Sequence, residues 1–211
     1  INTKFWLSAF NIPNTPYEFI IDDSEQSLNR ALKCLNRWKK IFIKASNQGS
    51  SIGCYLINKE HELRDAIKNA FLLSPFVLIE KAIEGRELEI GVYEYQNLLE
   101  ITDPGEIVCE NNFYNYEEKY EKSSSAKTNI IANDLSETVK TNMKQYAKNI
   151  FLGLKLRHLA RIDFFLDDQN NIYLNEINTF PGMTPISMFP KMMVSNGHQF
   201  EDYLKWSIFK N

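Results

Sequence analysis

Apolar residues recur along this chain at two spacings, and the changes from one to the other mark out its elements. Residues 4–10 read as the end of a helix stopped by Asn11-Ile12-Pro13, and residues 17–21 as a short strand. Asp22-Asp23-Ser24 offers N-cap side chains for a helix through Trp38, with Leu28, Ala31, Leu32 and Leu35 on one face. There follow a buried-type strand over 41–44, a polar glycine-containing loop over 45–53 and a strand over 54–57. A helix over 59–72, capped by Asn58, and a strand over 76–81 come next. This order predicts an α+β subdomain with an antiparallel sheet over residues 1–81.

From Gly85 the spacing of two dominates. Residues 87–95 and 98–103 read as a hairpin turning at Gln96-Asn97, and residues 104–127 then show no periodicity. A stretch of that length inside a compact domain is usually either a functional lid or disordered. Leu135, Val139, Met143, Tyr146 and Ile150 mark a helix ending near Gly153, and residues 187–195 and 199–209 close the chain as helices. There is no internal repeat.

Between those helices lies RIDFFLDDQNNIYLNEINTFPGMTP, two strand-like runs joined by Asp168-Gln169-Asn170-Asn171 and followed by a Pro/Gly loop. A four-residue hairpin loop sets Asp163 opposite Glu176 and Arg161 opposite Asn178. Alternation puts all four side chains on one face. Facing carboxylates destabilise a sheet unless something neutralises them, and Mg²⁺ takes carboxylates together with phosphate oxygens. Arg161 is then the cation left over for a developing phosphoryl charge. Taken alone, such a pattern more often means a solvated hairpin face with an Arg–Asp pair.

Composition narrows the setting. The 211 residues are 44% hydrophobic and 24% charged, ordinary for a globular protein. A formal charge of −3 with dispersed Lys and Arg gives no case for nucleic acid or an anionic membrane. No apolar run reaches the roughly 18–20 residues of a membrane span. The chain opens at Ile1 without an initiator Met or an apolar signal region, so an upstream segment is expected to be missing. Cys34, Cys54 and Cys109 are odd in number and widely spaced, which predicts structural thiols in a reducing compartment.

Three further stretches carry candidate chemistry. Lys44 ends an apolar strand, and the loop after it has Gly49, Gly53 and the hydroxyls of Ser46, Ser50 and Ser51. Together these can wrap phosphate oxygens, although a plain hairpin loop with a snorkelling lysine reads the same way. Residues 80–83 can supply backbone groups to a nucleotide base, and Glu87 a carboxylate to ribose hydroxyls. Ser187 stands where a helix begins, as an ordinary N-cap or as one side of a carboxylate site.

In order, Lys44 with SxxGSSxG, IEKxIxGxE, the tyrosine-rich 104–127 stretch, RIDFFL and LNEINTFPGMTPISMFP resemble the ATP-grasp ligases. Within them the match is to the D-alanine–D-alanine ligases, over nearly all of the chain. The resemblance implies the ATP-grasp fold: two α+β subdomains, residues 1–81 and 82–211, with antiparallel sheets enclosing a nucleotide cleft. It implies a cytoplasmic enzyme of peptidoglycan precursor synthesis, using ATP and two Mg²⁺ or Mn²⁺ ions. The reaction it implies is phosphorylation of one D-alanine carboxylate by ATP and attack of the amine of a second D-alanine on the acyl phosphate.

Residue by residue, Lys44, Ser50 and Ser51 match the family's phosphate loop, and Lys81 and Ile83 its adenine hinge. Glu80 and Glu87 match positions around base and ribose. Asp163, Glu176 and Asn178 match the metal ligands, and Arg161 the transition-state arginine. Ser187 and Met188, with Gly182 ahead of them, match the grip on the second substrate's carboxylate. Lys119-Tyr120 falls in the ω-loop that covers the site and, with Ser50 and Arg161, is expected to act in the reaction. That Lys-Tyr pair resembles the D-alanine enzymes more than the D-lactate-using relatives.

The chain also departs from the pattern. Family members begin with a separate domain that helps bind the first D-alanine and carry an upstream lysine near the nucleotide, and neither is among these residues. Ala45 replaces the proline usual after the loop lysine. The expectation is a piece that keeps the fold and binds nucleotide but does not turn over, from a protein that is a homodimer at full length. The competing expectations are a ligase for another carboxylate and amine pair, and a nucleotide-binding module without catalysis.

Overall fold

The computed structural model describes residues 2–108 and 127–209. They form two compact units, one over 15–83 and one over 4–14, 84–108 and 127–209. A first helix, α1 (Asn2–Ala9), opens the chain, and its Leu7 is fully buried in the core of the second unit.

In the first unit, β1 (Tyr17–Ile20), β2 (Ile41–Ala45), β3 (Cys54–Ile57) and β4 (Val77–Lys81) form a sheet in the order β1-β4-β2-β3, every neighbour antiparallel. Ile41, Ile43, Ala45, Val77 and Ile79 pack with Ala31 and Leu35 of α2 (Glu25–Trp38) and with Ala66, Ile67 and Ala70 of α3 (Leu63–Phe71). Strand alternation turns Phe42, Lys44, Leu78 and Glu80 to the other face. The Ser24 side chain caps α2 by accepting from the Ser27 N–H, as its position predicts.

The second unit is built on β5 (Arg86–Tyr95), β6 (Leu98–Ile101), β7 (Gly105–Val108), β8 (Lys127–Asn129), β9 (Leu159–Leu166) and β10 (Ile172–Asn178). The order is β10-β9-β5-β7-β8, with β6 paired to the far half of β5. Leu88, Ile90, Val92, Ile162, Phe164 and Leu174 face α4 (Glu137–Gly153), which contributes Val139, Met143, Ala147 and Ile150. On the opposite face, Tyr93 and Leu159 are covered by Phe189 and Met193 of α5 (Met188–Ser195) and Tyr203 of α6 (Phe200–Phe209). Among the described residues no helix is long and apolar enough to cross a membrane.

Three sequence expectations change, the first being the Asn58 cap: a 3-10 turn over Glu60–Glu62 leads into α3, and Asn58 donates its N–H to Glu62 Oε2 at 3.3 Å. The ends of the 104–127 stretch are strands: Glu106 and Ile107 continue the ladder on β5, and β8 pairs back on β7. Their brevity hid them, since four residues after Pro104 carry too little alternation to outweigh turn chemistry. Glu106 is held from across the sheet, where its carboxylate accepts from Arg86 Nε at 2.6 Å and Nη2 at 2.8 Å. The third change is in the β9–β10 hairpin, where Leu166 pairs with Ile172, so the connection is five residues, not four.

Gly85 leads into β5 against the tip of that hairpin. A Cβ there would lie 2.1 Å from the Leu166 carbonyl oxygen and 3.0 Å from Asp167 Cα, both backbone atoms that cannot rotate away. Gly85→Ala should therefore cost about 1–3 kcal/mol through forced backbone shifts. In a thermal melt followed by circular dichroism the midpoint should fall by roughly 5 °C.

Candidate functional site

The hairpin of β9 and β10 presents the predicted face. Glu176 pairs with Asp163, and Asn178 with Arg161. This register arises from two offsetting irregularities: the longer turn shifts the ladder by one, and a bulge between Leu174 and Glu176 shifts it back. The turn is organised by Asp167, whose carboxylate accepts from the backbone N–H of Gln169 at 2.9 Å and of Asn171 at 2.8 Å.

Arg161 binds Asp163 through two parallel hydrogen bonds, Nε to Oδ1 at 2.9 Å and Nη2 to Oδ2 at 2.8 Å. Asp163 is 1% exposed. Nη2 also lies 3.2 Å from Glu89 Oε1 on β5, where Glu89 is the cross-strand partner of Asp163. Burial works against the charge on Arg161, but Asp163, Glu89 and Glu176 outweigh it and hold its pKa above the usual guanidinium range. The residue opposite Arg161 is Gly91, where a Cβ would press on Thr102 Cγ2 at 3.1 Å and on the Phe189 ring at 3.2 Å. Glu89 is absent from the sequence-based set, although E-x-E on a period of two places it beside Glu87 on the same face.

The donor set suits a hard cation. Asn178 Nδ2 donates to Asp163 Oδ2 at 2.9 Å and to Glu176 Oε1 at 3.2 Å. The positive end of the amide thus sits between two carboxylates, where a cation would be attracted. To ligate, Asn178 must turn its oxygen inward about a torsion that is broad and soft. Among the described residues no three His, Cys, Asp or Glu side chains are arranged to hold a metal by themselves. Two carboxylates and an amide need further oxygens, such as those of nucleotide phosphates.

In the first unit Lys44 Nζ lies 2.6 Å from Glu80 Oε2 and 5.2 Å from the centre of the Phe42 ring. Glu80 is 3% exposed, so its carboxylate fixes the lysine from below instead of pointing outward. The following loop reaches left-handed backbone at Ser50 (φ 52°), Ser51 (φ 61°) and Gly53 (φ 67°), whereas Gly49 is not among the positive-φ residues. Ser46 is committed elsewhere: its hydroxyl is 3.0 Å from that of Ser74, and its N–H donates to Phe76 O.

At the hinge, the Lys81 N–H donates to Pro16 O at 2.9 Å and the Ala82 N–H to Lys40 O at 3.1 Å. The next N–H along is that of Ile83. Pro16 has no N–H to return, so the Lys81 carbonyl lacks the reciprocal bond that an antiparallel pair normally makes. Glu87, on β5 across from Phe165, shares the face of Glu89.

Ser187 has extended backbone (φ −68°, ψ 148°) at the start of α5 but makes no side-chain cap bond. Its hydroxyl instead accepts from the Thr184 N–H at 3.2 Å and lies 2.8 Å from Thr184 Oγ1. The first amides of α5 are left without that cap and can serve an anion. A Cβ on Gly182 would come within 2.8 Å of Ser187 Oγ, so any side chain there would crowd the hydroxyl. Met188 is buried, with 5% of its surface exposed, which limits its contribution to the backbone. Lys119, Tyr120 and Cys109 lie outside the described residues; Cys34 is buried and Cys54 half-buried, both as free thiols.

A family model described as D-ala D-ala ligase C-terminus matches residues 6–208. A D-alanine--D-alanine ligase of Shewanella piezotolerans is 51% identical over 97% of this chain. A solved D-alanyl-alanine synthetase A from Vibrio cholerae is 47% identical and superposes with a TM-score of 0.92, covering 99% of this chain and 63% of that one. A D-Ala:D-Ser ligase from Enterococcus faecalis is more distant, at 27% identity and a TM-score of 0.81 over 98% of this chain and 59% of that one. The chain spans 61% of the length of the Shewanella protein.

The two acidic residues of the hairpin face should respond differently to mutation. Asp163→Asn removes the buried carboxylate that grips the Arg161 guanidinium at two points, leaving only Glu89, and should cost about 3 kcal/mol in urea denaturation. Glu176→Ala, on an exposed side chain, should stay within about 0.5 kcal/mol of wild type.

Proposed function

This chain belongs to the D-ala D-ala ligase C-terminus family, and on that premise we propose that it supplies the nucleotide- and metal-handling portion of a ligase joining two D-alanines at the expense of ATP. Its α+β architecture with antiparallel sheets is the ATP-grasp fold. The observation that carries the reading is the hairpin face, where Asp163, Glu176 and Asn178 converge beside a half-buried, doubly anchored Arg161. The proposal follows the family in taking Mg²⁺ or Mn²⁺, two ions, a cytoplasmic setting and a homodimer at full length.

In the reaction proposed, a D-alanine carboxylate oxygen attacks the γ-phosphorus of ATP and ADP leaves, giving an acyl phosphate. The amine of the second D-alanine attacks the acyl carbon, and inorganic phosphate departs as the peptide bond forms and the amine loses a proton. Asp163, Glu176 and Asn178 would hold the cation, which when bound would supply positive charge against the repulsion between the two anions brought together.

Arg161 has its Nε and Nη2 edge held by Asp163 and Glu89, so the Nη1 side is oriented toward charge developing on the transferring group. Lys44, steadied by Glu80, places a point charge among phosphate oxygens, with the Ser50 and Ser51 turn contributing N–H and hydroxyl donors. The Lys81 carbonyl and Ile83 N–H suit the amino and ring-nitrogen edge of adenine, and Glu87 suits ribose hydroxyls. Ser187, Gly182 and the backbone at Met188 suit the carboxylate of the second D-alanine. Lys119 and Tyr120 are assigned, with the rest of their loop, to shielding the acyl phosphate from water.

Nucleotide binding to this chain is the direct test. Mg·ATP at a hundred times its Kd should add about 2.7 kcal/mol of stability. That corresponds to roughly 5–10 °C in a thermal-shift titration for a chain of this size. Glu176→Ala should remove most of the Mg²⁺-dependent part; an equal shift in both proteins would refute the assignment of the face. In a coupled ADP-release assay the 211 residues alone should show no D-alanine-dependent turnover.

A further inference from the structure

We propose that Glu89 is a positioning residue that keeps the Arg161 guanidinium in place when a divalent cation draws on Asp163. The inference rests on the metal-site reading of Asp163, Glu176 and Asn178 given above.

The reason is a conflict of duties at Asp163. A carboxylate has about four lone-pair directions. Here Oδ1 accepts from Arg161 Nε at 2.9 Å, while Oδ2 accepts from Arg161 Nη2 at 2.8 Å and from Asn178 Nδ2 at 2.9 Å. A cation shared by Asp163 and Glu176 displaces the Asn178 N–H and pulls electron density from the oxygens that Arg161 uses. It also adds positive charge close to the guanidinium, with little water between to screen the repulsion. Asp163 alone would then hold two mutually repelling cations.

Glu89 is placed to resolve this. It lies across the β5–β9 ladder from Asp163, is 4% exposed, and sets Oε1 at 3.2 Å from the same Nη2. That contact is looser than the 2.8 Å bond from Nη2 to Asp163, as suits a second anchor that tightens when the first is drawn away. Because both carboxylates act on Nη2, moving the load from one to the other leaves the Nη1 side aimed as before. A carboxylate with a purely structural role would hold Arg161 equally with and without the cation, so cation dependence is the discriminating observation.

The test follows the Arg161 side-chain Nε–H by ¹⁵N NMR, assigned by its loss in Arg161→Lys. Wild type and Glu89→Gln are compared with and without Mg²⁺ and a non-hydrolysable ATP analogue. In wild type the signal should persist, with slow solvent exchange, in both conditions. In Glu89→Gln it should persist without Mg²⁺, and its exchange should rise about tenfold or more with Mg²⁺, as expected for loss of a charge-assisted hydrogen bond. Loss of the wild-type signal on adding Mg²⁺ overturns the proposal without any variant. Equal protection in Glu89→Gln with Mg²⁺ also overturns it, as does poor protection that ignores Mg²⁺. Should the Gln variant fail to fold, Glu89→Asp, charged but shorter, is expected to give intermediate Mg²⁺-dependent exchange, and wild-type protection there overturns the proposal. Mn²⁺ separates the two layers: without broadening of the Asn178 amide in wild type the metal-site reading fails and this inference with it, whereas such broadening combined with undiminished Arg161 protection in Glu89→Gln under Mg²⁺ sinks the role of Glu89 alone.

Discussion

A guanidinium largely enclosed on a sheet face has to be met by anions that are fixed before any ligand arrives, because most of its hydration is lost and its charge cannot be shed. Arg161 is met in this way by Asp163 two residues along its own strand and by Glu89 on the neighbouring strand. The demand runs outward from there. It requires β9 to lie between β5 and β10, and an apolar layer on the other face firm enough to hold the strands. Ile162, Phe164 and Ile90, all fully buried against α4, provide that layer, and the charged face inherits its rigidity from them.

The first unit repeats the device with the other basic residue. Lys44 stands on the sheet face turned from the helices and is met by the buried carboxylate of Glu80. Each unit therefore packs one sheet face against helices and places on the other a basic side chain held by a buried acid, although in the second unit part of that face is also covered, by α5 and α6. A charge fixed in this way loses little freedom when it binds an anion, which is where preorganised electrostatics differ from a flexible surface lysine.

Much of this was legible in the sequence, though unevenly. Periodicity over 28–35 and 139–150 located α2 and α4, and the apolar strands of both sheets followed from runs such as Ile41-Phe42-Ile43. The short strands β7 and β8 were not legible, because their pairing depends on partners more than fifteen residues distant in sequence and on a carboxylate held by Arg86. The Asp163–Glu176 register was read correctly from a turn one residue too short; the bulge that restores it leaves no mark in composition. Glu89 was missed although its alternation with Glu87 is plain, since the partner that gives it meaning sits on another strand. The pairing of Lys44 with Glu80 was hidden for the same reason, as was the turning of Ser187 away from its own helix.

Pro16 has a consequence for how the hinge can change over generations. The acceptor at Lys81 exists because a proline ring withholds one donor, so it belongs to the main chain and to a neighbour, not to the side chain at 81. Drift at 81 or 82 can proceed without erasing it. Replacement of the proline by any other amino acid supplies the missing hydrogen, and with it a main-chain partner for the Lys81 carbonyl.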